Sequence, residues 1–162
     1  MQYIIDGHNL IPHISGLSLS DPQDEQKLID RLNTFCRLNR AHVIVFFDHA
    51  AQGHSHSQNL GFVTTRFVAR PQIADTAIAT HLKALAGRAR NFTVVSSDRM
   101  VQAAAREAHA QWLTSEKFSK LLEDALANAS NQASEKVLSD EEVKEWQDFF
   151  DQFGRPTDGL IP

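Results

Sequence analysis

Three aspartates each stand at the end of a short apolar run: Asp6 closes Tyr-Ile-Ile-Asp, Asp48 closes Val-Ile-Val-Phe-Phe-Asp, and Asp98 follows Thr-Val-Val-Ser-Ser. A fourth, Asp75, comes a short loop after the run Phe62 to Val68. If these runs are parallel strands, their C-termini share one edge, where open α/β sheets bind ligands. Two unit charges ~4 Å apart repel by about 4 kcal/mol at an effective dielectric of ~20, so such a cluster calls for a cation or for shared protons. Oxygen-only ligation suits Mg²⁺ or Mn²⁺, and Mg²⁺ takes one or two carboxylates alongside water and substrate phosphate. Such a centre can activate water and neutralise a leaving oxygen, the chemistry of phosphodiester hydrolysis. Each acid alone also has an ordinary explanation as a turn residue or helix N-cap, and Asp75 would meet a helix dipole favourably without metal.

The elements that must position these acids are read from hydrophobic period. Five strands are predicted, at Gln2 to Asp6, His42 to Asp48, Phe62 to Val68, Phe92 to Ser97 and Gln111 to Thr114. Helices are predicted over Pro22 to Leu38, with Leu28, Leu32, Phe35 and Leu38 on one stripe, over Ala74 to Ala86 with Gly87 as C-cap, and over Arg99 to His109. Strands alternating with helices imply βαβ units and a parallel sheet covered on both faces. Ser115 to Ala127 reads as a further helix with Ser115 as N-cap. The organisation expected is a domain over 1–127, a polar linker over 128–138 and an acidic amphipathic helix and tail over 139–162. Ser139 and Glu142 would form the capping box of that last helix and Gly154 would stop it. Its Val143, Trp146, Phe149, Phe150 and Phe153 make an aromatic face that must be buried, in cis or on a partner.

Length and composition set the outer limits. The 162 residues suit one domain with its own core. One cysteine, Cys36, excludes an internal disulfide and a thiol-rich zinc site, and fits a reducing, cytoplasmic setting. No apolar run approaches a membrane span and no signal-peptide h-region follows Met1, so neither a membrane nor export is expected. The net charge of −4 argues against nucleic acid only until it is localised. Residues 1 to 120 carry a net of +3 and residues 121 to 162 a net of −7.

Other residues tempt less. His54 and His56, with His49 nearby, lie in a polar stretch over Gln52 to Asn59 read as a loop, and they lack the further ligands zinc needs. Arg66 and Arg70 flank Phe67, and Arg88 and Arg90 follow the third helix; basic and aromatic groups together can grip a single strand. Of these, Arg70 lies nearest the acidic edge and is the one singled out for RNA contact. Glycine-rich phosphate loops and Gly-x-Ser-x-Gly elbows are absent.

The ordered set Tyr3-Ile-Ile-Asp6-Gly7-His8-Asn9-Leu10-Ile11, Val43-Ile-Val-Phe-Phe-Asp48, Ile73-Ala-Asp75 and Val94-Val-Ser-Ser97-Asp98-Arg99 resembles the NYN branch of the PIN-like nucleases, and more narrowly the YacP-like proteins. The resemblance spans about Met1 to Phe118 and includes Ser115-Glu116-Lys117-Phe118 after the last strand. It implies a three-layer α/β/α domain, a five-stranded, mostly parallel sheet of order 3-2-1-4-5, and a Mg²⁺- or Mn²⁺-dependent centre cleaving single-stranded RNA such as mRNA. Asp6, Asp75 and Asp98 would then be catalytic and hold the metal. Asp48 would complete or border the cluster, Asn9 would orient the first carboxylate or the substrate, and Ser97 and Arg99 would support the site, with Arg99 also meeting phosphate. Ribosome-associated members make the ribosome a candidate partner. Two departures are His8, where resembling proteins often carry Tyr, and Thr76, where they often carry a second acid. An RNA- or ribosome-binding module impaired in catalysis is therefore the alternative. A phosphatase with a nucleophilic aspartate ranks behind both, because its second acid, two residues after the first, is replaced by His8.

Overall fold

The computed structural model describes residues 1–50 and 56–153. Its order is β1 (Gln2–Asp6), α1 (Gly7–Leu10), α2 (Asp24–Asn39), β2 (His42–Ala50), β3 (His56–Leu60), β4 (Val63–Ala69), α3 (Ala74–Leu85), β5 (Phe92–Val95), α4 (Arg99–Glu107), β6 (Gln111–Leu113) and α5 (Ser115–Phe153). Six strands form one sheet in the order β3-β4-β2-β1-β5-β6. All neighbours are parallel except β3 with β4, which pair antiparallel. The expected order is therefore present with an edge strand added. His56, assigned above to a loop, instead begins that strand, opposite Phe67. His54 lies outside the described residues.

Strand period distributes the core between two faces. Tyr3, Ile5, Val43, Val45 and Phe47 face Leu28, Leu32 and Phe35 of α2 and Phe118 and Leu122 of α5. Ile4, Phe46 and Val94 face Ile78 and Leu82 of α3 and Val101 and Ala105 of α4. Alternate residues along each strand thus belong to opposite layers. Cys36 is fully buried in the first of these layers.

Among the boundaries that differ from expectation, two bear on the expected cap and the expected linker. α3 ends at Leu85, with the positive φ of 47° at Ala86 and not at Gly87, and a short 3-10 turn carries the chain on to Asn91. α5 runs without interruption through the stretch expected to be a linker, and Ser139 lies inside it. The chain nonetheless divides into a unit over Met1–Leu126 and another beginning at Ala127. The aromatic side chains from Val143 to Phe153, and Gly154 with the tail beyond it, lie outside what is described. Among the described residues no helix is long and apolar enough to cross a membrane.

Candidate active site at the C-terminal edge of the sheet

The pleat alone places two of the acids. Asp6 follows Ile4, and Asp48 follows Phe46, onto the face covered by α3 and α4. Asp75 and Asp98 stand at the starts of those two helices, so all four arrive at one edge. Asp6 is buried, at 5% exposure, while Asp48, Asp75 and Asp98 are half-buried. Gly7 permits this packing: a Cβ there would lie 2.3 Å from Phe47 Cε1, inside a fully buried ring.

The charges at this edge conflict. Burial, then Asp75 and its hydrogen bond, then Asp48 push the Asp6 carboxyl up to about 7, against a hydrogen bond from the Asn9 backbone that favours its ionised form. Asp75 is also raised, first by burial, then by Asp98 and Asp48, although its hydrogen bond with Asp6 lowers it. The physical content is a proton held on the more buried Asp6 and shared toward Asp75, the response of like charges without a counter-ion. Asp48 accepts a hydrogen bond from the Ala74 amide, which ties the end of β2 to the start of α3. Asp98 is a true N-cap: its Oδ1 accepts from Met100 N at 2.7 Å and from Val101 N at 3.3 Å.

Asn9, Ser97 and Ser115 form a second cluster alongside. Asn9 Oδ1 accepts from the Ser97 amide at 2.8 Å and from Ser115 Oγ at 2.6 Å. The Ser115 amide in turn donates to Ser97 Oγ at 3.0 Å. These bonds join α1, the end of β5 and the first residue of α5. Ser115 thus does more than head its helix, and Ser96, which accepts from the Asp98 amide at 3.1 Å, was missed as part of the setting. Neither signal is legible in spacing, since Ser115 meets Asn9 across 106 positions.

The remaining candidates are placed at or near the rim. Arg99 is exposed at the first residue of α4, Arg70 is exposed just beyond β4, and Thr76 is exposed on α3. His8 packs its ring 5.3 Å from Phe47 and hydrogen-bonds Glu25 at 2.9 Å, which raises its pKa against the opposing effect of burial. Before and at the start of α2, Asp21, Asp24 and Glu25 continue the acidic character from Asp48.

The donor set suits a hard divalent ion, because it offers carboxylate oxygens only and holds them in mutual repulsion. Asp75 reaches both Asp6 and Asp98, yet among the described residues no three carboxylate, imidazole or thiol groups close on a common point. That openness is compatible with an ion that keeps most of its shell as water and substrate oxygen.

Comparison with known proteins bears on the family and the fold. The family model described as YacP-like NYN domain matches residues 3–151. Among curated proteins no relative matches the chain. Two crystal structures of Rae1 (YacP) from Bacillus subtilis are similar to it. The W164L mutant superposes with a TM-score of 0.69 at 20% identity, over 85% of this chain and 83% of that one. The other gives a TM-score of 0.66 at 22% identity, over 92% and 94%.

Proposed function

Since the chain belongs to the YacP-like NYN domain family, we propose that its four-aspartate edge is the active centre of a Mg²⁺- or Mn²⁺-dependent endoribonuclease hydrolysing single-stranded RNA, with mRNA and the ribosome as its setting in a cytoplasm. The observation that carries this reading is the convergence of Asp6, Asp48, Asp75 and Asp98, with Asp6 driven up to about 7 by burial and by its neighbours. Asp6, Asp75 and Asp98 would hold the ion, at least one of them through its water shell, and a divalent cation there would supply Lewis-acid polarisation of the scissile phosphate. The chain's own groups do the rest. The Asn9 backbone amide favours the ionised Asp6, the α4 N-cap bonds fix the Asp98 carboxylate, and Asp48 holds the start of α3, and so Asp75, in place. Arg99 and Arg70, exposed at the rim, are the cations offered to flanking phosphates.

Asp6→Asn and Asp75→Asn should each reduce divalent-dependent cleavage of a single-stranded oligoribonucleotide by about 10²–10⁴-fold, the range carried by one group acting at the reacting atoms. Cleavage by either purified, folded variant at the wild-type rate would remove the assignment. A second reading, an RNA- or ribosome-binding module impaired in catalysis, is favoured by Thr76, an exposed hydroxyl where resembling proteins often carry an acid. It expects salt-sensitive RNA binding by the wild-type chain without divalent-dependent turnover.

A further inference from the structure

A second polar site lies on the β4 side of α3, where Arg66 shares the α3-facing side of its strand with Val68. The Arg66 guanidinium stands 5.6 Å over the Phe46 ring and donates from Nη1 to His81 Nδ1 at 3.0 Å. A guanidinium can only donate, so His81 Nδ1 accepts and the proton of the neutral imidazole sits on Nε2. That Nε2 is buried and has no hydrogen-bond partner. Burial, with Arg66 and Arg88 nearby, holds the imidazole below its ordinary value and so keeps it neutral. Neither the His8–Glu25 nor the Lys27–Asp21 pair involves Arg66. The groove these residues line has a volume of about 490 Å³, with Ser57, Gln72 and Thr80 on its walls and no carboxylate among its lining residues.

A half-buried cation without a counter-ion therefore lines the groove, and the His81 ring beside it carries an enclosed N–H without an acceptor. The ligand that meets the exposed part of such a cation is an anionic oxygen, and the neighbouring N–H dipole adds to the positive potential there. We infer that this groove binds a phosphate group of a single-stranded RNA. The groove is lined by Gln72, two residues before the start of α3 where Asp75 stands, and by the helix from Ala77 to Ala84, about 10 Å. A strand seated at the acidic edge thus has a cationic, partly aromatic continuation beside it, the combination that tracks a single-stranded backbone. The choice of RNA over another phosphate carrier rests on the nuclease reading above, whereas the anion site rests on Arg66 and His81 alone.

The test is binding of a single-stranded oligoribonucleotide to the full chain in EDTA, where the divalent-dependent centre proposed above does not turn over, across a salt series. Arg66→Gln should weaken binding about fivefold to tenfold and flatten the log–log salt slope by about 0.7, one phosphate's share for a single strand. Thr80→Glu, an exposed change that leaves Arg66 and its packing in place, should weaken binding in the same direction and covers the case in which Arg66→Gln fails to fold. If both variants bind with the wild-type affinity and slope while the wild type cleaves RNA, the groove proposal is overturned and the nuclease reading stands. If the wild type never cleaves RNA yet its binding depends on Arg66, the groove stands and the nuclease reading falls. If the Arg66 Nε–H resonance shifts with inorganic phosphate or an acidic peptide but not with the oligonucleotide, the assignment to RNA is overturned.

Discussion

Around Asn9 the polar groups satisfy one another, whereas around Asp6 they repel, although both clusters sit at the same edge of the same sheet. Asn9 Oδ1 takes two donors, and Ser97 and Ser115 complete a closed set of bonds. Asp6 is as well buried as the core around it, yet its neighbours Asp75 and Asp48 carry the same charge. One cluster therefore adds to the stability of the fold and the other subtracts from it. Stability given up at a chosen spot is what a ligand site requires, because a bound cation can return it. The contrast separates the scaffold of the edge from its chemistry more sharply than the bare positions of the residues do.

Breaking the satisfied cluster should have the largest effect on stability. Asn9→Ala strands the half-buried Ser97 amide and the hydroxyl of the fully buried Ser115 at once. With roughly 1–3 kcal/mol for each orphaned donor, the loss should be about 2–6 kcal/mol, measured by urea denaturation with an unchanged m-value. A midpoint equal to that of the wild type would mean that these bonds are replaced by water at no cost, and the division between the two clusters would lapse.

Relief of the repelling cluster should act in the opposite direction and depend on pH. The folded-state value of Asp6 lies above its ordinary 3.8, at about 7. A raised carboxyl contributes stability that is fully present below the unfolded value and is lost as pH rises through the folded one. Without divalent ions, Asp6→Asn should therefore match the wild type near pH 4, exceed it increasingly as pH rises to about 7, and keep that margin above it. The ceiling is about 4 kcal/mol, from about 3 pH units at ~1.4 kcal/mol each. Mg²⁺ should raise the wild-type melting temperature at pH 8 and leave that of the variant unmoved. A variant less stable than the wild type at pH 8 in EDTA would show that Asp6 is held by bonds and not strained by charge.

Much of this edge was readable from residue type and period. Apolar runs ending in Asp6 and Asp48 located two parallel strands, the run before Asp98 located a third, and the short loop after Phe62 to Val68 brought Asp75 to the same edge. β3 escaped because His-Ser-Gln-Asn-Leu offers no apolar alternation: four of its five residues are exposed, and it is a strand because β4 presents an edge to pair with. The helix break expected with the linker is absent for a different reason. Asn128 to Ser134 is polar and small, but no glycine or proline interrupts Ser115–Phe153, so nothing in the chain breaks the helix. The capping-box pattern at Ser139 was local evidence outweighed by that continuity. The bonds among Asn9, Ser97 and Ser115 depend on where three distant segments meet, which no local pattern encodes.

The smallest expected effect is the most discriminating between the two clusters. Ser115→Ala removes one donor to Asn9 Oδ1, which keeps the Ser97 amide, and leaves the Ser115 amide bonded to Ser97 Oγ. No buried donor is left without a partner, so the cost should fall to about 0.5–1.5 kcal/mol, or roughly 1–6 °C in melting temperature. The increment that Mg²⁺ adds to the melting temperature should be the same as in the wild type, because Asp6 meets Asn9 through the backbone amide and not through the amide side chain. A reduced Mg²⁺ increment would show that Ser115 reaches the acids through the orientation of Asn9. Scaffold and chemistry would then be one coupled network, and Asn9→Ala should lose cation affinity as well as stability.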